Sequence, residues 1–525
     1  MLPALLLAVG LIAPQSPPTP ATAAEASGFT ATSRLADVER FCRSALDLPH
    51  GDRLTLHAAG RSHGDRPLLL VQARLPGPAP TPRRQRALVI GAIHGGEIEG
   101  KEALQQLVRE IALGDHEDLL AHVELWLLPI YNVDGNEAVA VGNRAGQNGP
   151  DACGQRTNGQ DLDLNRDFVK ADAPETRALL RLFTEVDPDL FVDLHTTNGS
   201  YHGYHLTFAP SLSPNVDAAV AAENRALLDA AQAAMRERFG FATFDYGNFE
   251  THDWDGGGAP ESAAGVRGWY TFDHRARYGV NYFGLRNRLA VLSEAYSYCD
   301  FATRTAATHA FVVCVLQALV ARRDAVQRAA LAADARALAG TPPLALGYAT
   351  GFAEPEPMDV LVGEVERKEP ADGRPLRFVR KGDGVPERLP VVRAFRAAQQ
   401  RPLPAAWAIP APTAAVRDRL ALHGIEFEEL AAPRTVRAAS FAVGKKKKPK
   451  RPYQGHQELV LEGSWSAAAE VALPAGALWV PARQRLARLA AVLLEPESED
   501  SLSSWNFFEA ETDTHYPVLR VVEGS

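Results

Sequence analysis

The stretch Ala87-Leu-Val-Ile-Gly-Ala-Ile-His94-Gly-Gly-Glu97-Ile-Glu-Gly-Lys-Glu-Ala103 joins an apolar run to a helical pattern. Six of the seven residues 87–93 are Ala, Leu, Val or Ile, which is typical of a buried strand, and residues 99–113 place apolar side chains at helical spacing. His94 and Glu97 are therefore predicted to lie on a strand-to-helix loop. In open α/β sheets ligands bind outside the carboxyl ends of the strands, and the two glycines let the backbone turn tightly there.

Imidazole and carboxylate are zinc ligands, and a catalytic zinc needs three protein ligands and one open position. By itself, His94-x-x-Glu97 is equally compatible with a surface loop in which the glutamate favours a helix start. A second apolar run, residues 189–195, also ends in a histidine, His195. Two such histidines at strand ends of one α/β sheet favour a metal site.

The composition limits the class of protein. A chain of 525 residues predicts two domains, with three possible, and 46% hydrophobic and 23% charged residues are ordinary for a soluble globular protein. The net charge of −9 argues against nucleic acid as a partner, because phosphate contacts require a basic face. The one basic run, residues 445–451, is interpreted as a solvated loop tip.

The amino terminus resembles a secretory signal. Residues 1–13 are apolar but too short to span a bilayer, and a Pro-rich spacer leads to the small residues Ala21-Thr-Ala23. The positively charged segment usual in signals is missing. We expect residues 1–23 to be a signal peptide and the protein to be secreted or periplasmic, with no stable membrane insertion after signal removal.

A long polar loop, residues 142–160, leads into a dense set of charged and amide groups. The set runs from Arg156 to Arg166 and includes Asp163 and Asn165. Loops of this length are usually functional, and arginine can hold a carboxylate through two parallel hydrogen bonds. A carboxylate-binding loop and a surface ion-pair cluster both fit the spacing.

These motifs, in this order, resemble the M14 family of zinc carboxypeptidases. The resemblance rests on His94-Gly-Gly-Glu97, Asp163-Leu-Asn165-Arg166 and Asp193-Leu-His195, and it covers about residues 29–339. It implies an α/β fold with a mixed sheet flanked by helices in a domain of residues 29–340. From residue 344 onward short strand-like runs alternate with turn signals, which predicts a smaller, mostly β accessory domain over residues 344–525.

The resemblance also assigns roles. It implies one zinc ion per chain, held by His94, Glu97 and His195. Arg156 would polarise the scissile carbonyl, Asn165 and Arg166 would hold the free carboxylate of the substrate, and Asp163 would accept the second ring N–H of His94.

The resemblance further implies a catalytic glutamate on a later strand. Residues 281–294 suggest an apolar strand that ends in Glu294, which would be the general base acting on a zinc-activated water. The alternative is a buried glutamate paired with Arg286 or Arg288.

The implied function is a zinc-dependent carboxypeptidase that hydrolyses C-terminal residues from peptides with a free carboxylate. The Asp-Leu-His and Leu-Asn-Arg motifs also resemble the aspartoacylase and succinylglutamate desuccinylase branch, which hydrolyses small N-acyl amino acids. A catalytically silent peptide-binding protein is a third possibility. The resemblance also implies a tyrosine that closes over the substrate; Tyr270, Tyr278 and Tyr282 are the candidates, and the spacing does not choose among them.

Overall fold

The computed structural model describes residues 19–78, 83–251, 266–340, 345–347, 350–369, 373–397, 399–508 and 514–522. The helices are α1 (Ala23–Ala26), α2 (Leu35–Ala45), α3 (Glu99–Leu113), α4 (Glu117–Leu120), α5 (Val133–Glu137), α6 (Pro174–Val186), α7 (Ala218–Phe239), α8 (Gly279–Gly284), α9 (Phe301–Ala321), α10 (Arg323–Ala339), α11 (Ala414–Leu422) and α12 (Ala487–Leu494).

The strands of the amino-terminal part are β1 (Leu54–Arg61), β2 (Pro67–Ala73), β3 (Gln85–Gly91), β4 (Val123–Leu128), β5 (Ala140–Val141), β6 (Ala152–Cys153), β7 (Leu190–Thr197), β8 (Leu206–Pro210), β9 (Thr243–Asp245), β10 (Asn248–Phe249), β11 (Trp269–Tyr270) and β12 (Leu289–Tyr296). Those of the carboxy-terminal part are β13 (Ala345–Gly347), β14 (Thr350–Phe352), β15 (Glu356–Lys368), β16 (Arg377–Val392), β17 (Phe395–Ala397), β18 (Gln400–Pro402), β19 (Ala406–Ile409), β20 (Glu428–Glu429), β21 (Arg434–Ala439), β22 (Phe441–Lys447), β23 (Val460–Trp465), β24 (Ala469–Leu473), β25 (Leu478–Pro481) and β26 (Leu519–Val521).

An eight-stranded mixed sheet with the order β1-β2-β4-β3-β7-β12-β8-β9 forms the centre of the molecule. Its middle strands β4, β3, β7 and β12 are parallel, while β1, β2 and β8 run antiparallel to their inner neighbours. The predicted mixed sheet is confirmed. Because the middle strands are parallel, their carboxyl ends meet at one edge of the sheet.

Helices cover both faces of this sheet. Strand β7 shows why, because successive side chains of a strand point to opposite faces. Leu194 faces Gly100 of α3, whereas Phe191 packs against Phe283 of α8, with ring centroids 4.2 Å apart. A strand covered on both faces must be apolar throughout, and every residue of β7 is buried.

One predicted strand is divided in the structure. The predicted strand over residues 281–294 begins only at Leu289, because the preceding residues form the short helix α8 and Asn287 makes a left-handed turn with φ 61°. The helical segment that follows β12 is also divided, because it breaks at Arg322 into α9 and α10. Helix α9 is long and apolar enough to cross a membrane, but 72% of its apolar window is buried inside the protein, as in a core helix.

The carboxy-terminal part packs closely on the amino-terminal part. The long hairpin β15–β16 joins β11 through parallel pairing of Trp269 with Val391, and one hydrophobic cluster includes residues from both parts, such as Val169, Trp407 and Leu489. Short strands dominate this part as predicted, in particular the six-stranded sheet β20-β25-β19-β26-β21-β24. The boundary at residues 340–344 stays a prediction.

Most of the predicted signal peptide, residues 1–18, lies outside the described residues. Its last residues are packed on the fold: Thr22 caps α1, and Arg109 of α3 donates to the carbonyl of Pro20 and to Glu25. The position of a cleavage site therefore stays a prediction.

Candidate active site

The three predicted zinc ligands meet at the carboxyl edge of the central sheet. Nδ1 of His94 lies 2.9 Å from Oε1 of Glu97, and Nδ1 of His195 lies 3.0 Å from Oε2 of the same carboxylate. All three side chains are buried, and one ligand atom from each lies within 4.8 Å of the others. Donor atoms bound to one tetrahedral zinc at about 2.0–2.2 Å are roughly 3.4 Å apart, so this set matches such an ion in chemistry and in size.

Each histidine ring is held from behind by an aspartate. Nε2 of His94 lies 3.0 Å from Oδ1 of Asp163, and Nε2 of His195 lies 2.9 Å from Oδ2 of Asp193. Burial opposes a charge on His195, but Asp193, Glu97 and Glu294 prevail and raise its pKa well above the usual value. A carboxylate behind the ring leaves Nδ1 facing the pocket, which is the usual support of a metal histidine.

Close backbone packing explains the two glycines of the loop. A Cβ on Gly95 would lie 2.3 Å from the backbone carbon of Gly135, and one on Gly96 would lie 2.6 Å from the carbonyl oxygen of Gly154. Neither glycine has a positive φ. The loop therefore requires glycine because two other backbone segments touch it, and not because of an unusual backbone conformation.

Glu294 lies beside the metal triad. It is paired with His195 in the register of the parallel strands β12 and β7, which brings the two residues side by side. Its side chain is buried, and Oε2 has no hydrogen-bond partner among the described residues. Burial raises the pKa of Glu294 to about 8, although His195 acts in the opposite direction. A carboxylate with a raised pKa and an available oxygen suits a general base.

The structural alternative for Glu294 is not observed. Arg288 is bound by Asp187 and Asp334, with nitrogen-to-oxygen distances of 2.9 and 3.3 Å. Arg286 donates to the carbonyl of His423 instead. Neither arginine pairs with Glu294.

The loop residues predicted to bind a carboxylate surround Asp163. Arg156 donates to Oδ2 of Asp163 from Nε at 3.0 Å, its Nη1 lies 3.8 Å from Glu97, and its side chain is 46% exposed. The guanidinium carbon of Arg166 lies 4.2 Å from the ring centroid of Tyr278. Asn165 accepts from the backbone N–H of Gly279 at 2.9 Å. The loop thus places two arginines and an amide beside the triad.

The three candidate tyrosines occupy different places. Tyr278 stacks on Arg166 in the cleft. Tyr282 is fully buried against His423, with its hydroxyl 2.7 Å from Nδ1, and Tyr270 pairs with β16 and donates to the carbonyl of Val266. The geometry thus favours Tyr278 over the other two as a residue that faces a substrate.

Three further residues of the cleft were missed by the sequence reasoning. Arg144 donates from Nη1 to Oε1 of Glu97 at 2.8 Å, and Tyr246 is a partly buried tyrosine whose pKa is raised by desolvation and by the charge of Glu294. Tyr453 comes from the carboxy-terminal part and contacts Arg166. Arg144 lies in the polar loop that the sequence marked as functional, but no local pattern distinguishes Tyr246 or Tyr453.

Comparison with known proteins agrees with this geometry. Residues 42–282 match the model of the family Peptidase_M14, described as zinc carboxypeptidase. The matched range includes the metal triad, which is His94, Glu97 and His195, and the arginine loop, which is residues 156–166. It ends before Glu294. Residues 42–282 thus resemble a zinc carboxypeptidase domain of the M14 family.

Curated relatives carry carboxypeptidase names. Carboxypeptidase Z of Homo sapiens is 40% identical over 119 residues, which are 21% of this chain and 18% of the relative. Carboxypeptidase 2 of Trichophyton tonsurans is 23% identical over 468 residues, 84% of this chain and 77% of that protein. The alignments with carboxypeptidases Z and D thus span no more than about a fifth of those proteins.

Solved structures of metallo-carboxypeptidases are also similar. The enzyme from Burkholderia cenocepacia has a TM-score of 0.41 and 19% identity, covering 55% of this chain and 69% of its own. The enzyme from Pseudomonas aeruginosa has the same score and identity over 56% of this chain and 70% of its own.

Proposed function

We propose that this protein is a zinc carboxypeptidase that removes C-terminal residues from peptides with a free carboxylate. The observation that carries the proposal is the meeting, at one sheet edge, of a buried His-Glu-His triad, an available buried carboxylate and an arginine loop. Each group has a distinct task in peptide hydrolysis. His94, Glu97 and His195 would hold one zinc ion per chain.

Bound zinc supplies a Lewis acid that polarises a carbonyl and lowers the pKa of a water. The protein supplies the proton transfers. Glu294, beside His195, takes the proton of the attacking water on its available oxygen and delivers it to the leaving nitrogen. Because burial disfavours the charged carboxylate, the proton is bound strongly enough to be held between the two steps.

The arginine loop orients the peptide. Arg156, half exposed and anchored on Asp163, stabilises negative charge that develops on the carbonyl oxygen. Arg166 and Asn165 bind the terminal carboxylate of the substrate, a charge-assisted contact of about 1.5 to 3 kcal/mol. The distance between this clamp and the metal triad then decides that the last peptide bond is cleaved.

A comparison of one peptide with a free and an amidated carboxy terminus tests this proposal. We expect the free acid to have a kcat/KM at least about tenfold higher, and Arg166→Ala to remove most of the preference while zinc content stays at one per chain. Glu294→Gln should keep the metal and lose turnover. Equal values for both peptides in the wild type would contradict an exopeptidase. Hydrolysis of small N-acyl amino acids without any of peptides would point to the amidohydrolase alternative.

Export to the periplasm or the medium is part of the proposal. It is supported by the signal-like composition of residues 1–23. Amino-terminal sequencing of the protein from a cell fraction would give the compartment and the first residue. Because Pro20 accepts a hydrogen bond from Arg109 of α3 and Thr22 caps α1, a cut upstream of both would preserve these contacts.

A further inference from the structure

A tight turn of the carboxy-terminal part reaches the arginine loop. Residues Tyr453 to His456 form two backbone hydrogen bonds with each other, and the central residues Gln454 and Gly455 have φ values of 51° and 81°. Two successive positive φ angles define a compact two-residue turn. The turn therefore presents its side chains in a fixed geometry.

Three successive contacts fasten this turn to the arginine loop. The backbone N–H of Asp163 donates to Oε1 of Gln454 at 2.8 Å, and Nε of Arg166 donates to the hydroxyl of Tyr453 at 3.1 Å. Nε2 of His456 lies 2.7 Å from Oδ2 of Asp172. The turn thus contacts the backbone of Asp163, whose carboxylate lies behind His94, the side chain of Arg166 and the carboxylate of Asp172.

The ring of Tyr453 packs on a buried aromatic side chain of the carboxy-terminal part. It stacks on Trp505, which is fully buried, with centroids 6.4 Å apart. The guanidinium of Arg277 lies 4.6 Å from the Trp505 ring and is paired with Asp500 at 2.9 Å and Glu458 at 2.7 Å. A tyrosine held in this way has little freedom to follow a moving arginine.

The contacts of Arg166 leave its Nη2 group available to bind a ligand. Nε donates to Tyr453, Nη1 donates to the carbonyl of Asn165 at 2.9 Å, and the plane rests on Tyr278. Nη2 donates to no atom of the described residues. The direction of the remaining donor is therefore set jointly by the loop and by the turn.

We propose that the turn Tyr453–His456 is a positioning element of the carboxylate clamp, with Tyr453 as the residue that orients Arg166 for the substrate carboxylate. This inference rests on the proposed function. It gives the carboxy-terminal part a role in substrate binding, since the clamp is completed only when that part is docked. An arginine that is already oriented loses less entropy on binding, so the gain appears in ground-state affinity.

Tyr453→Phe tests the inference, because it removes the hydroxyl and keeps the ring on Trp505. We expect KM for a free-acid peptide to rise about three- to tenfold, the loss of one hydrogen bond, with kcat within about twofold. The amidated peptide should be affected far less. Gln454→Ala should shift KM in the same direction without touching Tyr453.

Tyr516→Phe is the matched control. Its hydroxyl donates to the carbonyl of Leu494 at 2.9 Å within the carboxy-terminal part, so it reports a loss of stability without a change in the clamp. Thermal unfolding of all variants accompanies the kinetics. A KM shift in Tyr453→Phe that Tyr516→Phe matches at equal loss of stability would overturn the inference.

Equilibrium binding separates this inference from the proposed function. Calorimetric titration of a free-acid peptide into Glu294→Gln, with and without Tyr453→Phe, measures the clamp without turnover. We expect the added substitution to weaken binding about three- to tenfold. Unchanged binding, in a protein whose wild type does prefer free acids, would show that the turn is only structural; absence of that preference in the wild type would refute the proposed function instead.

Discussion

Glu294, the proposed general base, is at the same time a residue that destabilises the fold at neutral and higher pH. Its carboxylate is buried next to the Glu97 carboxylate, and burial raises its pKa to about 8. In the unfolded chain the same group ionises near 4.5. Functional sites often carry such unfavourable groups, because the property that destabilises the fold is the one that catalysis uses.

Replacement of Glu294 by Gln should therefore stabilise the metal-depleted protein. Since the folded pKa lies above the unfolded one, the wild type loses stability as pH rises from about 4.5 to about 8, and the variant does not. At pH 8 the expected gain is on the order of 4 kcal/mol. Thermal unfolding in a chelator at pH 8 and at pH 5 measures it, and a gain that is equal at both pH values would contradict the ionisation argument.

At the scale of the element, helix α3 sets the position of the loop that carries His94 and Glu97. Its second residue, Gly100, lies directly on strand β7: a Cβ there would be 2.7 Å from Cβ of Leu194 and 3.3 Å from Cα of Gly91. The helix start is thus pressed against two strands whose ends carry His94 and His195. Glycine is used here for close packing, against its poor helix propensity.

Gly100→Ala should consequently destabilise the protein although alanine is the better helix former. Overpacking costs about 1–3 kcal/mol, more than the roughly 1 kcal/mol gained in propensity. Zinc affinity should fall as well, because α3 is displaced from β7. Chemical unfolding and a zinc titration measure the two effects. Gly351→Ala, where nothing lies within 4 Å of the added Cβ, is the control that should be close to neutral.

At the scale of the whole molecule, a buried histidine joins the two parts of the chain. His423, at the end of α11, has its Nδ1 2.7 Å from the hydroxyl of Tyr282 and its Nε2 2.9 Å from the carbonyl of Val169. Both bonds form with a neutral ring, whose Nε2 donates and whose Nδ1 accepts. Burial lowers the pKa of His423 to about 3.

Low pH should therefore reduce the stability that the His423 contacts provide. The unfolded ring takes up a proton near pH 6.5 and the folded ring only near pH 3, so stability falls as pH drops through that window. At pH 5 the loss is about 2 kcal/mol. His423→Gln, which does not titrate, should be less stable than the wild type at pH 8 and should lose about 2 kcal/mol less on going to pH 5. Parallel pH profiles of the two proteins, by chemical unfolding, would contradict the assignment.

The local features of the site were predictable from the sequence. His94, Glu97 and His195 stand where apolar runs stop, so neighbouring residues alone placed them at the edge of a sheet. The Asp-Leu-Asn-Arg run stands where a polar loop ends, and its spacing fitted both a carboxylate-binding loop and a surface ion-pair cluster. The bounds of helix α3 followed from periodicity: the helix was predicted over residues 99–113 and spans Glu99–Leu113. The division of residues 279–294 into a helix and a strand was missed, because a short apolar run has no decisive period.

What only the tertiary structure decided lies in contacts between distant segments. The pairing of Glu294 with His195 depends on strand order, and the contact of Tyr453 with Arg166 joins residues 287 positions apart. The periodicity of apolar residues predicts only the local secondary structure and the buried face of each element. Contacts between distant residues depend on the order of the strands in the sheet and on the packing of the carboxy-terminal part against the amino-terminal part. The sequence therefore determined which groups could bind zinc and a carboxylate, and the packing of the two parts decided which side chains hold those groups in place.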